Sequence, residues 1–288
     1  QTRRIRMIPT VAQRLAEAAQ RLKPVTDTPR LDAEILLAHA VGVTRSALLA
    51  RLHEALPAPD FEELLERRLQ YEPIAYIVGA WEFFSLAFIV RPPVLTPRPE
   101  TEHLVEMALD HLRHRGAAAG PPRVLDLGTG TGCVAVAVAR NLPCDMIATD
   151  INPDAVALAR ENAAKHGVSI HVCAGDLFDG LPQDAPPFDC IVSNPPYVEE
   201  DAWPGLSPVI RLHEDPRALL AGKDGLAVIR RIIADAPAHL RPGGLLALEI
   251  GEKHFQRVAG LMRDAGFRDI ACRRDLSGIP RIIGALRR

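Results

Sequence analysis

The sequence has no marked excess of charge and no long apolar run, and each absence excludes a class of protein. It carries 34 Lys and Arg against 36 Asp and Glu, which gives a formal net charge of −2. A dedicated duplex-DNA-binding protein is usually strongly basic, and this balance does not fit one. No run of about 18 apolar residues occurs, so we expect no membrane-spanning helix. With 48% hydrophobic residues, the 288-residue chain can bury one large core, or one large and one small.

Cysteine is scarce, and its spacing suits neither a metal site nor a redox pair. The chain has five cysteines, none in a CxxC arrangement, and four of them fall in apolar stretches. We expect reduced, buried thiols that act as small hydrophobic residues in a cytosolic protein, and we expect no metal site. The cysteines are Cys133, Cys144, Cys173, Cys190 and Cys272.

The N-terminal end is locally basic, with seven basic side chains in residues 1–30 against Glu17 and Asp27. Such an end either contacts RNA or is simply solvated, and we favour solvation. Residues 1–10 contain arginines but no apolar segment of the kind that a secretory signal needs. That pattern leaves a trimmed start or a remnant of a transit peptide, with the cytoplasm as the simpler location. The basic residues are Arg3, Arg4, Arg6, Arg14, Arg21, Lys23 and Arg30.

The pattern along the chain divides it into a helical part, a short linker and a larger α/β part. From Val11 to Tyr71, apolar residues recur at spacings of three and four between short breaks, which predicts about four short helices. We therefore predict a helical domain over residues 1–72. Residues 73–98 are rich in aromatic and β-branched types, including Tyr76 to Val78, and predict a β-hairpin linker.

Residues 99–288 show alternating strand and helix signals, which predict an α/β domain. The last two predicted strands have no helix signal between them, so we expect a hairpin at the sheet edge rather than another parallel unit. Predicted strands cover 123–127, 145–150, 170–174, 188–193, 244–249, 269–273 and 281–286, predicted helices cover 100–114, 132–140, 153–166, 224–240 and 254–265, and a loop is expected over 116–122.

A glycine-rich turn follows the first strand of this domain, with the sequence Asp126-Leu127-Gly128-Thr129-Gly130-Thr131-Gly132. Glycines in such a turn let the backbone approach a ligand closely and offer free N–H groups at the start of a helix. The dinucleotide fingerprint GxGxxG would need a glycine at Cys133. The GxGxG spacing therefore disfavours a nicotinamide cofactor.

Acids also follow the next two strands, as Asp150 and Asp176. Asp150 can accept both hydroxyl hydrogens of a ribose, and Asp176 can accept from an adenine amine. Acids at three strand ends suit a cofactor with a cationic sulfonium and amino group, as in S-adenosylmethionine, better than a pyrophosphate. Taken singly, Asp126 and Asp176 are equally well explained as turn formers or helix-capping acids. The combination with the glycine turn and Asp150 favours a cofactor site.

The fourth strand ends in Asn194-Pro195-Pro196-Tyr197, where two prolines stop the strand. The Asn194 side-chain oxygen and the Pro195 carbonyl can both accept from one planar –NH2 group, and the Tyr197 ring can pack on its flat face. Two such acceptors hold the nitrogen and turn its lone pair toward a methyl donor, with no general base required. An ordinary turn would use the same residues, but strand ends in an open α/β sheet face the ligand crevice, which favours function.

These motifs carry a family resemblance. The 126–132 turn, Asp150 and the 194–197 motif resemble the class I methyltransferases of amino nitrogens, which implies an α/β fold with a seven-stranded Rossmann-like methyltransferase sheet and an antiparallel last strand. The stretches GAWEFF at 79–84, TPRPETE at 96–102 and RLDAEILL at 30–37 resemble the release-factor glutamine N5-methyltransferase family. This likeness extends over nearly the whole chain, from Val11 to the Arg281 region.

The resemblance implies an enzyme that uses S-adenosylmethionine to methylate a glutamine side chain in peptide chain release factors. In such an enzyme Asn194, Pro195 and Tyr197 would hold the substrate glutamine. Glu100 and Glu102 are explained as acids at a helix start after Pro99, and we assign neither to catalysis. The expected cofactor-binding residues are Asp126, Gly128, Thr129, Gly130, Gly132, Asp150, Asp176 and Asn194.

Two alternatives belong to other functional classes. An adenine-N6 or guanine-N2 methyltransferase of nucleic acid would need a basic groove and usually a target-reading module with stacking aromatics. The helical domain here is short and almost free of aromatic residues, so we expect no stable nucleic acid complex. A non-catalytic, ribosome-associated binding module could keep a relic pocket, but the intact motif at 194–197 argues against it.

Overall fold

The computed structural model describes residues 9–114 and 120–288. Arg3, Arg4 and Arg6 of the basic end, and residues 116–119 of the expected loop, lie outside these ranges. Contacts divide the chain into two compact units, the first formed by Gln1–Gly79 with Ser207–His213 and the second by Ala80–Leu206 with Glu214–Arg288. In the described ranges no helix is long and apolar enough to cross a membrane.

The first unit is helical, as its apolar spacing predicts. Helix α1 begins with a capping box, in which Thr10 Oγ1 accepts from the Gln13 N–H and Gln13 Oε1 accepts from the Thr10 N–H. One face of α1 is buried, and it carries Val11, Leu15, Ala18 and Leu22. The helices are α1 (Val11–Leu22), α2 (Pro29–Val41), α3 (Arg45–Leu49), α4 (Phe61–Leu69), α5 (Ile74–Val78) and α9 (Pro208–His213).

The RLDAEILL stretch contributes buried acids to this unit. Asp32 accepts from Arg68 Nε at 2.8 Å, and both side chains are only 7% exposed. Glu34 accepts from Arg30 and Arg45 at 2.6 and 2.7 Å. Burial alone would raise the pKa of Glu34, but the two arginines lower it below its ordinary value. Because a buried ion pair that loses one partner leaves an uncompensated charge, removing either Asp32 or Arg68 should cost about 3–5 kcal/mol.

Residues 74–78 form helix α5. The prediction of a strand at Tyr76 to Val78, which rested on their aromatic and β-branched residue types, is therefore wrong. Pro73 precedes the helix, and Gly79 ends it in the left-handed region at φ 71°. Ile74 to Ile77 are all buried, and a helix buried on every side shows no helical spacing in its sequence.

The predicted hairpin follows α5 and lies in the second unit, with strands β1 (Ala80–Phe83) and β2 (Leu86–Ile89) paired antiparallel. Its turn uses Phe84 and Ser85, both at positive φ. Glu102 Oε1 accepts from the Phe84 N–H at 2.8 Å and holds this turn. The expected linker at 73–98 therefore contains a helix whose contacts belong to the first unit and a hairpin whose contacts belong to the second.

The second unit is built on a seven-stranded sheet with the strand order β5-β4-β3-β6-β7-β9-β8. Strands β3 to β7 run parallel, and β9 is antiparallel to both neighbours, which confirms the predicted antiparallel last strand. The strands are β3 (Arg123–Leu127), β4 (Asp145–Asp150), β5 (Ile170–Ala174), β6 (Phe188–Ser193), β7 (Leu240–Glu249), β8 (Phe267–Arg274) and β9 (Pro280–Arg287), and the helices are α6 (Glu102–Arg113), α7 (Cys133–Asn141), α8 (Pro153–Lys165), α10 (Ala227–His239) and α11 (Phe255–Asp264).

The central strands are fully buried, and their carboxyl ends meet at one edge of the sheet. All six residues of β6 are buried, as the continuous apolar run predicts. Strand β7 begins at Leu240, four residues before its predicted start, because the pairing with β6 shifts register across the glycines of that strand. Parallel neighbours end together, so the segments after β3, β4, β6 and β7 lie side by side.

The five cysteines are all free.

Candidate active site

The glycine turn lies between β3 and α7, where the backbone must bend sharply. Gly128, Gly130 and Gly132 all have positive φ, at 68°, 57° and 79°. A Cβ on Gly132 would approach the Cα and Cβ of Ala159 to 3.1 Å, so this glycine also allows α8 to pack against the turn. The turn is anchored to β4, since the N–H groups of Gly128 and Thr129 both donate to the Thr149 carbonyl.

Asp150 ends β4 and holds the turn from its other side. Its Oδ2 accepts from the Gly130 N–H at 2.8 Å, and its Oδ1 accepts from the Asn152 N–H at 2.9 Å. Burial raises the pKa of Asp150, and the two backbone N–H groups oppose that rise without cancelling it. Each carboxylate oxygen still has a lone pair for a ligand hydroxyl.

Asp126 is 2% exposed at the end of β3 and accepts from Thr129 Oγ1 at 2.7 Å. Burial raises the pKa of Asp126 to about 7, and the nearby charge of Asp150 acts in the same direction. Two buried acids beside the glycine turn create a site that favours a cation.

A cavity of about 380 Å³ lies over the ends of these strands, within the range of about 300–1,000 Å³ that small-molecule sites occupy. Among the expected cofactor residues, all but Gly132 line it. Pro196 lines the cavity, whereas Pro195 and Tyr197 do not. The Thr96 hydroxyl is buried in its wall and has no hydrogen-bond partner within the described part of the chain. The expected residues in the wall are Asp126, Gly128, Thr129, Gly130, Asp150, Asp176 and Asn194.

Asp176 follows β5 and is already paired in the structure. Its Oδ2 accepts from Arg231 at 2.8 Å, and its side chain is 41% exposed. Both residues line the cavity. Arg231, which the sequence motifs did not indicate, fixes one oxygen of the Asp176 carboxylate and leaves the other to accept from a ligand donor.

The 194–197 motif leaves β6 in an extended path that neighbouring backbone holds. Ser193 Oγ donates to the Leu127 carbonyl at 2.7 Å and ties the end of β6 to β3. Asn194 is half-buried at the cavity wall, and Pro195 is buried. After Tyr197, the Val198 N–H donates to the Leu219 carbonyl at 2.7 Å, and a second contact runs from the Ala221 N–H to the Val198 carbonyl.

Glu249, at the end of β7, is a site residue that the sequence motifs did not single out. It is 2% exposed and accepts from Thr101 Oγ1 at 2.6 Å and from the Tyr197 hydroxyl at 3.3 Å. Burial raises the pKa of Glu249 to about 7 and raises the pKa of the Tyr197 hydroxyl as well. Thr101 also accepts from Asn194 Nδ2 at 3.2 Å. An acid at a strand end is the signal that indicated Asp150, and the same rule would have found Glu249.

Family models and relatives match this chain on both of its parts. The PrmC N-terminal domain model matches residues 13–79, and the methyltransferase small domain model matches residues 99–205. A release factor glutamine methyltransferase from Bordetella pertussis is 43% identical over 265 residues, which cover 89% of this chain and 94% of the relative. The chain belongs to the release factor glutamine methyltransferase family. A second relative of that name, from Cereibacter sphaeroides, is 42% identical over 90% of this chain and 91% of its own length.

Solved structures at lower identity share the fold. A methyltransferase from Pyrococcus furiosus aligns with a TM-score of 0.54 and 19% identity over 78% of this chain and 98% of that chain. A 16S rRNA methyltransferase from T. thermophilus, in complex with AdoMet and guanosine, aligns with a TM-score of 0.50 and 20% identity over 73% of this chain and 50% of that chain. The predicted methyltransferase fold and enzyme class are confirmed.

Proposed function

We propose that the protein transfers a methyl group from S-adenosylmethionine to the side-chain amide nitrogen, N5, of a glutamine in a peptide chain release factor. The single observation that carries this proposal is the Asn194 side chain, which lies at the cavity wall with its Nδ2 engaged by Thr101. Its Oδ1 makes no hydrogen bond to any described residue and is left to accept from a ligand –NH2 group.

The cavity supports the choice of cofactor. We assign the cofactor contacts to the glycine turn, the acids at the strand ends and the Asn194 segment. Asp150, and Asp126 when it is ionised, give the wall the negative charge that suits a sulfonium and an ammonium. The Thr96 hydroxyl, which has no hydrogen-bond partner among the described residues, offers a further polar contact. The T. thermophilus 16S rRNA methyltransferase, which shares the fold, was solved in complex with AdoMet. The assigned residues are Asp126, Gly128, Thr129, Gly130, Gly132, Asp150, Asp176 and Asn194.

The catalytic part of the proposal rests on orientation. S-adenosylmethionine, when bound, supplies a methyl group that forms a C–N bond as its C–S bond breaks, after which the amide nitrogen loses a proton to solvent. Asn194 Oδ1 and the Pro195 carbonyl accept the two amide hydrogens and keep the nitrogen lone pair directed along one line. Tyr197 packs its ring beside the planar amide, and its hydroxyl is anchored on Glu249.

The substrate class follows from family membership and agrees with the charge of the chain. Relatives at 42–43% identity over about nine-tenths of the chain are named release factor glutamine methyltransferases, which favours glutamine over a nucleic acid base. A formal net charge of −2 gives no general attraction for phosphate backbones, and we expect no stable nucleic acid complex. We assign recognition of the release factor to the helical unit, whose residues 13–79 match the N-terminal domain of this family. The proposed setting is translation termination in the cytoplasm.

The decisive experiment is mass spectrometry of purified release factors incubated with the protein and S-adenosylmethionine. We expect a mass increase of one methyl group on a single glutamine, located by fragmentation of the modified peptide. Asn194→Ala should lose the modification while it still binds cofactor through the glycine turn and Asp150, which separates failure of chemistry from failure of folding. A methyl group found on RNA or DNA offered in the same reaction, with release factor unmodified, would overturn the substrate assignment.

A further inference from the structure

An asparagine can serve as an acceptor here only if its amide faces the cavity with oxygen and not with nitrogen. The Oδ1 and Nδ2 ends of Asn194 have nearly the same shape, so shape alone does not choose between two orientations that differ by a half-turn. A flipped Asn194 would present two hydrogens to a substrate –NH2 group and repel it. Some neighbour must therefore distinguish the two ends, and that neighbour must have hydrogen-bond donors or acceptors fixed in direction.

The contacts beneath Asn194 fix that direction. An ionised Glu249 has no hydrogen, so it can only accept, and Thr101 has one hydroxyl hydrogen, which the 2.6 Å contact commits to Glu249 Oε2. Thr101 Oγ1 then faces Asn194 with lone pairs alone. Because an acceptor demands a donor, Asn194 must turn its Nδ2 toward Thr101, at 3.2 Å, and its Oδ1 toward the cavity.

We propose that Glu249 and Thr101 are positioning residues that set the orientation of the Asn194 amide for methyl transfer. This inference rests on the proposed function. It gives a role to the threonine of the TPRPETE stretch, which neither the cofactor nor the substrate assignment used. The Tyr197 hydroxyl occupies the other oxygen of Glu249, so one carboxylate orients two residues of the 194–197 motif.

Burial separates this relay from bulk solvent. Thr101 and Glu249 are each 2% exposed, so bulk water does not compete for either contact. Burial and the charge of Glu100 raise the pKa of Glu249 to about 7, while the charge of Arg281 and the hydroxyls of Thr101 and Tyr197 oppose the rise. Above that pH the carboxylate is ionised and the relay has one direction. Protonated Glu249 carries a hydrogen of its own and no longer dictates which way Thr101 donates.

The test removes the relay without removing Asn194, in assays at about pH 8.5 so that Glu249 is ionised. Thr101→Val keeps the volume of the side chain and deletes the hydroxyl, whereas Thr101→Ser keeps the hydroxyl. Thr101→Ser is the matched control, since it leaves a hydroxyl at the same buried position. The measurements are kcat and KM for release factor, and calorimetric Kd for S-adenosylmethionine.

We expect Thr101→Val to lower kcat about tenfold to a hundredfold, the scale of a misplaced reacting group, with both KM and cofactor Kd within about threefold of wild type. Thr101→Ser should recover most of the rate. Glu249→Gln offers a second route, because the amide keeps the shape of the side chain but carries hydrogens of its own, so it no longer dictates which way Thr101 donates. Its kcat should fall, with cofactor Kd within about threefold of wild type.

Each failure has a distinct meaning. If wild-type protein does not methylate release factor, the proposed function fails before the relay is tested. If wild type is active and folded Thr101→Val retains kcat within about threefold, the relay is refuted and the proposed function stands. Equal losses in Thr101→Ser and Thr101→Val would likewise refute it, since the hydroxyl would then be irrelevant. A loss confined to cofactor Kd would make Thr101 a cofactor contact and also overturn the proposal.

Discussion

Replacing Asp150 with alanine tests the ribose assignment, because this carboxylate lies at the cavity wall and accepts from the glycine turn. Its two oxygens accept from the N–H groups of Gly130 and Asn152 at 2.8 and 2.9 Å. Each oxygen keeps a lone pair for a ribose hydroxyl. Hydrogen bonds to a charged group contribute about 1.5–3 kcal/mol, so we expect Asp150→Ala to weaken S-adenosylmethionine binding about tenfold to a hundredfold.

The assay is calorimetric titration of folded protein with S-adenosylmethionine. Asp154→Asn is the matched control. Asp154 is an exposed acid in the first turn of α8 and does not line the cavity, so the substitution removes one negative charge nearby without removing a cavity contact. Asp150→Asn should lie between alanine and wild type, since it retains one acceptor oxygen and loses the charge. Thermal unfolding of each variant checks the turn itself. An unchanged Kd in folded Asp150→Ala would remove Asp150 from the cofactor site.

Three further outcomes are expected. Asn194→Ala should lower the single-turnover rate of methyl transfer about a hundredfold to a thousandfold, whereas cofactor Kd should change by less than about tenfold because the glycine turn and Asp150 supply the other cofactor contacts; a rate loss of only a few-fold would contradict its role. The stability of Asp126→Asn relative to wild type should rise by about 2–4 kcal/mol between about pH 4 and about pH 7 in urea unfolding. The folded pKa of Asp126 is about 7 and lies above the unfolded value, so over this range the unfolded wild type ionises while the folded protein keeps its proton, and wild type alone loses stability. A difference that is the same at both pH values would show that the pKa of Asp126 is not perturbed. A free glutamine peptide should have a kcat/KM at least about tenfold below that of whole release factor, because it cannot contact the helical unit, and equal values would contradict the assigned role of that unit.

The elements that the sequence predicts best are those whose pattern has one cause. Strand β6 is apolar throughout because it is buried on both faces, so its bounds of 188–193 are confirmed to the residue. Helix α8 begins with Asn152 as cap and Pro153 at its first position, and the predicted start is confirmed as well. In both cases the local residues alone determine the structure.

Predictions fail where a distant contact decides the outcome. Strand β7 starts at Leu240 because Leu240 pairs with Phe188 across a register shift. The local sequence contains proline and glycines, and nothing in it distinguishes a strand with such a shift from a loop. Asp176 lies where the strand rule expects it, yet its pairing with Arg231 joins residues 55 positions apart. The position of an acid at a strand end can be predicted from the sequence, but its partner cannot. Only the structure therefore shows which carboxylate lone pairs remain for a ligand.

Glu249 shows how two sequence motifs that look independent become one site. TPRPETE and the 194–197 motif are separated by more than ninety residues, and each is explicable alone, one as a helix start and the other as a turn. The sheet brings the end of β7 beside the end of β6, and the turn before α6 packs over both, so Thr101 and Tyr197 reach the same carboxylate. Because a buried carboxylate with a pKa of about 7 is costly to ionise unless donors surround it, the hydroxyls of both motifs stabilise the ionised form together. Changing either motif therefore alters the charge state of Glu249, on which the other motif depends. A double-mutant cycle between Thr101→Val and Tyr197→Phe should give a coupling energy of about 0.5–3 kcal/mol in the free energy of unfolding. Additive effects of the two substitutions would mean that the two motifs act separately.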